Sequence, residues 1–172
     1  MTNEQKKAAA QAIEGFRLPR YHEIPDVGLY LEQTTKYIAG YLNTLHPDSI
    51  TSSMISNYVK KGLIANPVKK QYSREQIAYL FFIAVAKNVL SLDALQGFIR
   101  LQQQTYSLEK AYNYFAEEFE NLLLFSFELK DNVDVVGEET TDERKLLFSC
   151  IAAVTQMIYL EKSLTAITAA EE

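Results

Sequence analysis

Residues 51–64 decide the fold, and they read Thr51-Ser52-Ser53-Met54-Ile55-Ser56-Asn57-Tyr58-Val59-Lys60-Lys61-Gly62-Leu63-Ile64. Thr51 is a favourable N-cap, and Gly62 tolerates the left-handed conformation with which many helices end. At about 100° per residue, the apolar side chains of this segment share one face, namely Met54, Ile55, Tyr58 and Val59. The opposite face is polar and carries Ser53, Ser56, Asn57 and Lys60. The segment therefore predicts an amphipathic helix from Ser52 to Lys61 with one buried and one solvated face.

A longer helix is predicted directly before this one. Apolar side chains recur at helical spacing from Val27 to Leu45, Asp26 offers an N-cap, and His46-Pro47-Asp48 stops the run. Two helices with a break of roughly four or five residues, the second with an apolar inner face, are the layout of a helix-turn-helix. Such a motif holds its second helix against the major groove of DNA.

The rest of the chain also favours helices. Its 172 residues are 48% hydrophobic and 23% charged, the balance of a folded globular protein, and include 6 Gly and 4 Pro. Caps and apolar periodicity predict five further helices, at about residues 4–14, 73–90, 92–104, 108–129 and 140–167, of which the last four begin at Ser73, Ser91, Ser107 and Thr140. We expect an all-α fold: a helix-turn-helix domain with a shortened wing, residues 1–100, fused to a C-terminal helical bundle, residues 101–172, unless both parts pack as one domain.

Two segments are predicted to lack helix. Prolines restrict residues 17–25, which we expect to form an extended arm. Residues 130–139 combine Asp, Asn, Gly and Glu and form the clearest interior loop, in which Val135-Val136 is too short to predict a strand.

The sequence carries no signature of an enzyme, a metal site or a membrane protein. No apolar run approaches the length of about 18 residues that spans a bilayer, and residues 1–7 lack the apolar core of a signal peptide. His22 and His46 lack metal-ligand spacing, and the single cysteine, Cys150, lies in an apolar stretch that predicts burial. We therefore expect a cytoplasmic protein that is not an enzyme and needs neither a cofactor nor a metal ion.

Charge is distributed unevenly along the chain. The net charge is −5, but residues 1–100 hold 12 Lys and Arg against 8 Asp and Glu, whereas residues 101–172 hold 5 against 14. Between Asp48 and Glu75 every charged side chain is cationic, and these are Lys60, Lys61, Lys69, Lys70 and Arg74. A positive patch beside a polar helix face predicts double-stranded DNA as the partner.

The candidate DNA-binding residues follow from this patch. Hydroxyl and amide groups reach base edges, so Ser53, Ser56 and Asn57 are candidates for base contacts. Cationic side chains hold phosphates, and the candidates are Lys60, Lys61, Lys69, Lys70 and Arg74, with Ser52 at the flank of the helix. The alternative is that a helix face rich in Ser and Lys is merely solvated.

These residues resemble the DNA-reading part of MerR-type transcription regulators. In that family the second helix ends in a Tyr, a charged pair and Gly-Leu, a basic wing follows, and Tyr-Ser opens the next helix. The corresponding residues here are Tyr58, Lys60-Lys61, Gly62-Leu63 and Tyr72-Ser73. The resemblance implies a bacterial transcription regulator with a helix-turn-helix between residues 27 and 80. This chain departs from the pattern at Ser56, where such regulators carry an Arg, and at Asn57, which replaces a Tyr, and its wing is shorter.

A second resemblance covers about residues 18–125. They are similar to an uncharacterised bacterial family defined as a domain of unknown function, with the same Ser-Met-Ile-x-Asn-Tyr-Val-Lys stretch. That resemblance implies a shared fold and no particular function. The alternative to a DNA-binding regulator is therefore a protein–protein interaction module built on a helix-turn-helix frame, which the acidic C-terminal half and the short wing permit.

The last predicted helix has two apolar stripes. One contains Leu147, Ile151, Val154 and Ile158, and the other contains Leu146, Cys150, Ala153, Met157, Leu160, Leu164 and Ile167. A helix roughly 40 Å long with two such stripes packs either at the centre of its own bundle or against a second chain. Because helix-turn-helix proteins commonly bind two half-sites, we expect a homodimer through the C-terminal helices.

Aromatic residues crowd the same half of the chain. They are Tyr106, Tyr112, Tyr114, Phe115, Phe119, Phe125, Phe127 and Tyr159. Such residues line a pocket for a small apolar effector or simply pack a core, and the sequence leaves both open. The nearby acids Glu117, Glu118 and Glu120 have no Glu-x-x-His partner, so we expect them to line a solvated face.

Overall fold

A computed structural model describes residues 1–134 and 141–169. These residues form seven α-helices, one 3₁₀ turn and two short strands. The helices are α1 (Asn3–Gln11), α2 (Leu31–Leu42), α3 (Ser52–Lys60), α4 (Arg74–Ala86), α5 (Leu92–Thr105), α6 (Leu108–Ser126) and α7 (Asp142–Thr168); the 3₁₀ turn is Tyr21–Glu23, and the strands are β1 (Leu29–Tyr30) and β2 (Gln71–Tyr72). The predicted predominance of helix is confirmed.

Polar side chains begin the helices. Four predicted N-caps are confirmed, because a backbone N–H three residues later donates to the hydroxyl of each of Thr51, Ser73, Ser91 and Ser107. At the start of α4, Gln76 also accepts from the backbone of the cap and so completes a capping box. Thr141 caps α7, whereas the predicted cap Thr140 lies outside the described residues.

The helix predicted from Val27 to Leu45 is shorter at both ends. Its first residues are diverted into β1, which pairs antiparallel with β2, and the helix ends at Leu42, so that residues 43–51 connect α2 to α3. Gly28, directly before β1, lies close to β2, since a Cβ added to it would be 2.7 Å from the Cβ of Gln71. The prediction was wrong here because pairing with a distant segment overrode the local helical periodicity.

The predicted extended arm, residues 17–25, is bound to α6. Its Leu18 and Ile24 side chains are fully buried. Arg20 donates from both terminal nitrogens to the two carboxylate oxygens of Glu120, at 2.7 and 2.8 Å. A bidentate, largely buried pair of this kind is geometrically specific, and it fixes the arm on the helix.

One hydrophobic core extends through the described chain. α7 packs against α1 and α6, while α4 contacts α2, α5, α6 and α7. Cys150 belongs to this core, as predicted, and burial raises the pKa of its thiol to about 11. The first and last helices of the chain are therefore joined by shared buried side chains.

The acids of α6 do not form the predicted solvated face. Glu118 is only 3% exposed, and Glu120 pairs with Arg20, whereas Glu117 is 49% exposed in its side chain. Burial raises the pKa of Glu118, and the charge of Arg144 opposes that shift. The prediction was wrong because the arm and α7 cover α6, a tertiary contact that leaves no local signal in the sequence.

Within the described residues, no helix combines the length and hydrophobicity that a bilayer-spanning segment needs. The same residues contain no group of three or more His, Cys, Asp and Glu side chains placed to hold a metal ion. The predicted loop is described as far as Asp134, and Val135-Val136 lies outside the described part of the chain.

Candidate nucleic-acid interface

α3 is held in place by both of its ends and by its inner face. Thr51 caps its first turn by accepting from the N–H of Met54 at 3.2 Å. At the other end Gly62 has φ +75°, and the N–H of Leu63 donates to the carbonyl of Tyr58 at 2.9 Å, which is the Schellman geometry. The inner side chains Ile55 and Tyr58 are 0% and 5% exposed. The rotation of α3 about its axis is therefore set by burial.

The outward face of α3 is the predicted one. Its exposed side chains are Ser53, Ser56, Asn57 and Lys60. No side-chain hydrogen bond or ion pair joins any of these four to another residue in the described ranges. Their hydroxyl, amide and ammonium groups are thus directed to the surroundings and are available to an external partner. We call these four residues the polar face of α3.

The connector after α3, residues 62–72, contains a tight hairpin turn, and we call this connector the wing. The N–H of Gln71 donates to the carbonyl of Val68 at 2.9 Å and closes a two-residue turn whose central residues are Lys69 and Lys70. Both lysines have positive φ, 50° and 64°, as a type I′ hairpin turn requires. Non-glycine residues in this region cost about 1 kcal/mol or more each. This turn therefore carries two exposed cations at its tip in an unfavourable backbone conformation.

Four lysines give the surface its charge. They are Lys60 and Lys61 at the end of α3 and Lys69 and Lys70 in the turn, and we call them the four-lysine set. None of the four pairs with a carboxylate in residues 1–134 or 141–169. Exposed cations without carboxylate partners attract a polyanion.

Ser52, a predicted site residue, is turned toward α2. Its hydroxyl donates to Glu32 Oε1 at 2.9 Å and lies 3.0 Å from the hydroxyl of Thr35. The contact ties the first turn of α3 to α2 and brings a carboxylate to the edge of the interface. Sequence reasoning missed Glu32 because it lies twenty positions away, on a different helix.

Arg74, the other predicted residue with internal contacts, holds the arm. Its Nε donates to the carbonyl of Ile24 at 2.9 Å, its guanidinium lies 5.7 Å from the centre of the Tyr21 ring, and an Nη is 3.9 Å from Asp26. With 28% of its side chain exposed, Arg74 joins the first turn of α4 to the arm. Unlike the four lysines, Arg74 therefore has partners within the protein.

Lys87 is a further cation near α3 that the sequence did not indicate. Its Nζ lies 3.3 Å from the sulfur of Met54, and burial lowers the pKa of its ammonium group. Lys87 directly follows the last turn of α4, and its ammonium group lies beside Met54 of α3. Its position reflects helix packing, for which a single lysine offers no sequence signal.

The family of the chain is shown by its sequence. Residues 19–115 match the family described as a domain of unknown function (DUF1836). Because the match covers more than half of the chain, the chain belongs to that family, which confirms the resemblance predicted over about residues 18–125. The matched range includes α3 and the wing. The likeness to MerR regulators stays a prediction. No curated protein and no solved structure matches the chain significantly.

Proposed function

We propose that this protein is a DNA-binding transcription regulator that presents α3 to the major groove. The observation that carries the proposal is the exposed polar face of α3, together with the four exposed lysines at its end and in the following turn, which have no carboxylate partner in the described ranges. A negatively charged helical surface satisfies both, since base edges meet the polar face and phosphates meet the lysines. Solvation alone gives no reason for Lys69 and Lys70 to occupy an unfavourable turn conformation.

The residues divide into two roles. Asn57 can donate to and accept from adenine in a bidentate contact, and Ser53 and Ser56 can hydrogen-bond to any base edge. The four-lysine set neutralises phosphates and fixes the register of α3 on the duplex. Ser52 and Arg74 act as positioning residues, because their polar atoms already tie α3 to α2 and α4 to the arm.

Two copies of the chain would bind two half-sites, since one short helix contacts few base pairs. The second stripe of α7 supports this proposal, because Leu146, Leu160 and Leu164 are 51%, 57% and 51% exposed. If two α7 helices cross antiparallel at Ala153, Leu146 of one chain faces Leu160 of the other, and Lys145 faces Glu161. This pairing places two exposed leucines against each other and two opposite charges together, with Leu164 opposite Asp142.

A salt series tests the proposal directly. DNA selected from pooled genomic fragments is titrated with the wild-type protein and with the Lys60→Ala, Lys61→Ala double variant. Affinity should fall steeply with salt for the wild type, and the double variant should reduce the slope of log affinity against log salt by about two.

A second adjacent pair of lysines provides the control. The Lys6→Ala, Lys7→Ala variant removes the same charge from exposed positions of α1 and should leave the salt slope unchanged. Failure to bind any genomic fragment, or tight binding without salt dependence, would refute the proposal. A protein partner that is lost on substitution of Asn57 and Lys60, with no DNA recovered, would favour the interaction module instead.

A further inference from the structure

A cavity of about 570 Å³ lies between α4, α5, α6 and α7. It falls within the range of roughly 300–1,000 Å³ that is usual for small-molecule sites. Of the aromatic residues that the sequence indicated, Tyr106, Tyr112, Tyr114 and Phe115 line it, and the others do not. Sequence reasoning missed α4, which contributes Ala78, Tyr79 and Phe82.

Seven of the twenty described residues that line the cavity are aromatic. Phe82 is central, with its ring 5.9 Å from that of Phe98 and 5.6 Å from that of Phe115. The second of these pairs is edge-to-face at 88°. Flat rings presented at different angles suit a ligand that is itself aromatic, because such rings attract one another in offset or edge-on arrangements.

Two polar side chains of the lining, Tyr79 and Gln102, already have hydrogen-bond partners. The hydroxyl of Tyr79 donates to Gln102 Oε1 at 2.7 Å, and Gln102 Nε2 donates to the carbonyl of Tyr106 at 2.7 Å. A ligand that enters beside these groups therefore need not supply a matching polar atom.

The charged groups of the lining balance one another. Lys110 and Arg144 are the cations, and they lie over the rings of Tyr106 and Tyr114 at 4.9 and 4.4 Å. Glu117 and Glu143 are the anions of the lining. The described residues of the lining therefore carry two charges of each sign.

The cavity shares a helix with the candidate nucleic-acid interface. α4 begins at Arg74, directly after the wing strand β2 and its cap Ser73, and Tyr79 and Phe82 lie within its first three turns. A molecule that contacts these two rings therefore contacts α4, the helix that directly follows the wing.

From these observations we propose that the cavity binds an uncharged aromatic small molecule, and that its occupancy changes the affinity of the protein for DNA. The proposal of a binding site rests on the cavity alone. The regulatory effect rests on the proposed function.

Binding to the cavity is tested with N-phenyl-1-naphthylamine, an uncharged aromatic fluorophore whose emission rises in apolar surroundings. The full chain should bind it saturably at one site per chain. Ala111→Trp fills the cavity from α6, and Thr105→Trp fills it from an exposed position at its rim. Each variant should weaken binding by about tenfold or more. If Ala111→Trp lowers the melting temperature strongly, Thr105→Trp decides.

Two control variants locate the probe. Ala8→Trp adds the same ring to the exposed side of α1, and Leu160→Lys alters the exposed stripe of α7. Both should bind the fluorophore like the wild type. Unsaturable binding, equal binding by wild type and a folded Thr105→Trp variant, or loss of binding in Leu160→Lys would overturn the site.

The regulatory effect is then measured by repeating the DNA titration with saturating fluorophore. The affinity for DNA should change by about tenfold in the wild type, as coupling between two sites usually does, and should not change in Thr105→Trp. If the fluorophore binds and the affinity for DNA stays constant, the coupling is overturned and the binding site stands. If the fluorophore binds and the protein binds no DNA, the proposed function fails and the binding site again stands.

Discussion

α3 and α7 each bury one face in the same core, yet their outward faces differ. The outward face of α3 is polar and cationic, whereas that of α7 carries Leu146, Leu160 and Leu164 about half exposed. Water solvates the first at little cost, but it solvates the second poorly. The difference matches what the proposed function requires, a charged partner at α3 and an apolar one at α7.

The inner faces of these helices also differ. The buried residues of α3 are Ile55 and Tyr58, whereas those of α7 include Thr155 and Ser163, whose hydroxyls have no hydrogen-bond partner in the structure. Near the start of α7, Arg144 lies close enough to influence the buried Glu118. α7 therefore buries two hydroxyl groups among its apolar inner side chains and exposes three leucines on its outer face.

The largest expected effect concerns the outer face of α7. Leu160→Lys combined with Leu164→Lys should weaken self-association by at least about a thousandfold, because each apolar loss and each added charge occurs twice in a symmetric pair. Sedimentation over a concentration series measures it. Thr165→Lys adds the same charge at a neighbouring exposed position on another side of α7 and should leave association intact. If the wild type is monomeric at high concentration, the outer face of α7 does not bind a second copy, and the expected difference in partners between α3 and α7 is refuted.

The inner face of α3 provides the next effect. Ile55→Ala should lower the free energy of unfolding by about 3 kcal/mol, because the side chain is fully buried and its removal leaves a cavity. Ser56→Ala, one position further on the exposed face, should change it by less than about 0.5 kcal/mol. Urea denaturation measures both. Similar values for the two variants would show that the division of α3 into faces is wrong.

The buried carboxyl beside α7 makes stability depend on pH. Because the pKa of Glu118 is raised in the folded state, the folded state holds more protons than the unfolded state just above the ordinary carboxyl range. The free energy of unfolding therefore falls as pH rises through that window, by at most about 1.4 kcal/mol per pH unit for one proton. Glu118→Gln should remove that fall. Glu117→Gln, at a side chain that is 49% exposed, is the control, and equal profiles for both variants would contradict the assignment.

The smallest effect concerns the wing, and it should have opposite signs in two measurements. Lys69→Asn with Lys70→Gly installs residues that accept the positive φ of this turn, so thermal stability should rise by about 1 kcal/mol. The same variant loses two cations, so its affinity for DNA and its salt slope should fall. Higher stability with unchanged affinity for DNA would remove the wing from the interface.

Local signals in the sequence predicted much of α3. The hydroxyl of Thr51, the glycine at position 62 and the alternation of apolar and polar side chains act over a few residues, and the structure contains each as predicted. The exposure of the four-lysine set could also be predicted from the sequence, because each lysine lies in a segment bounded by such signals. The same reasoning failed for β1, where pairing with β2 replaced the predicted first turns of α2.

What the sequence determined by itself is the set of helices, their caps and the two-faced character of α3, because these depend on neighbours within a turn or two of the chain. The tertiary structure alone decided which polar groups are left for a partner. It directed Ser52 to Glu32 and Arg74 to the arm. It also buried Glu118 while leaving three leucines of the second stripe of α7 exposed, namely Leu146, Leu160 and Leu164. Such outcomes depend on contacts between segments far apart in the chain, which no local pattern encodes.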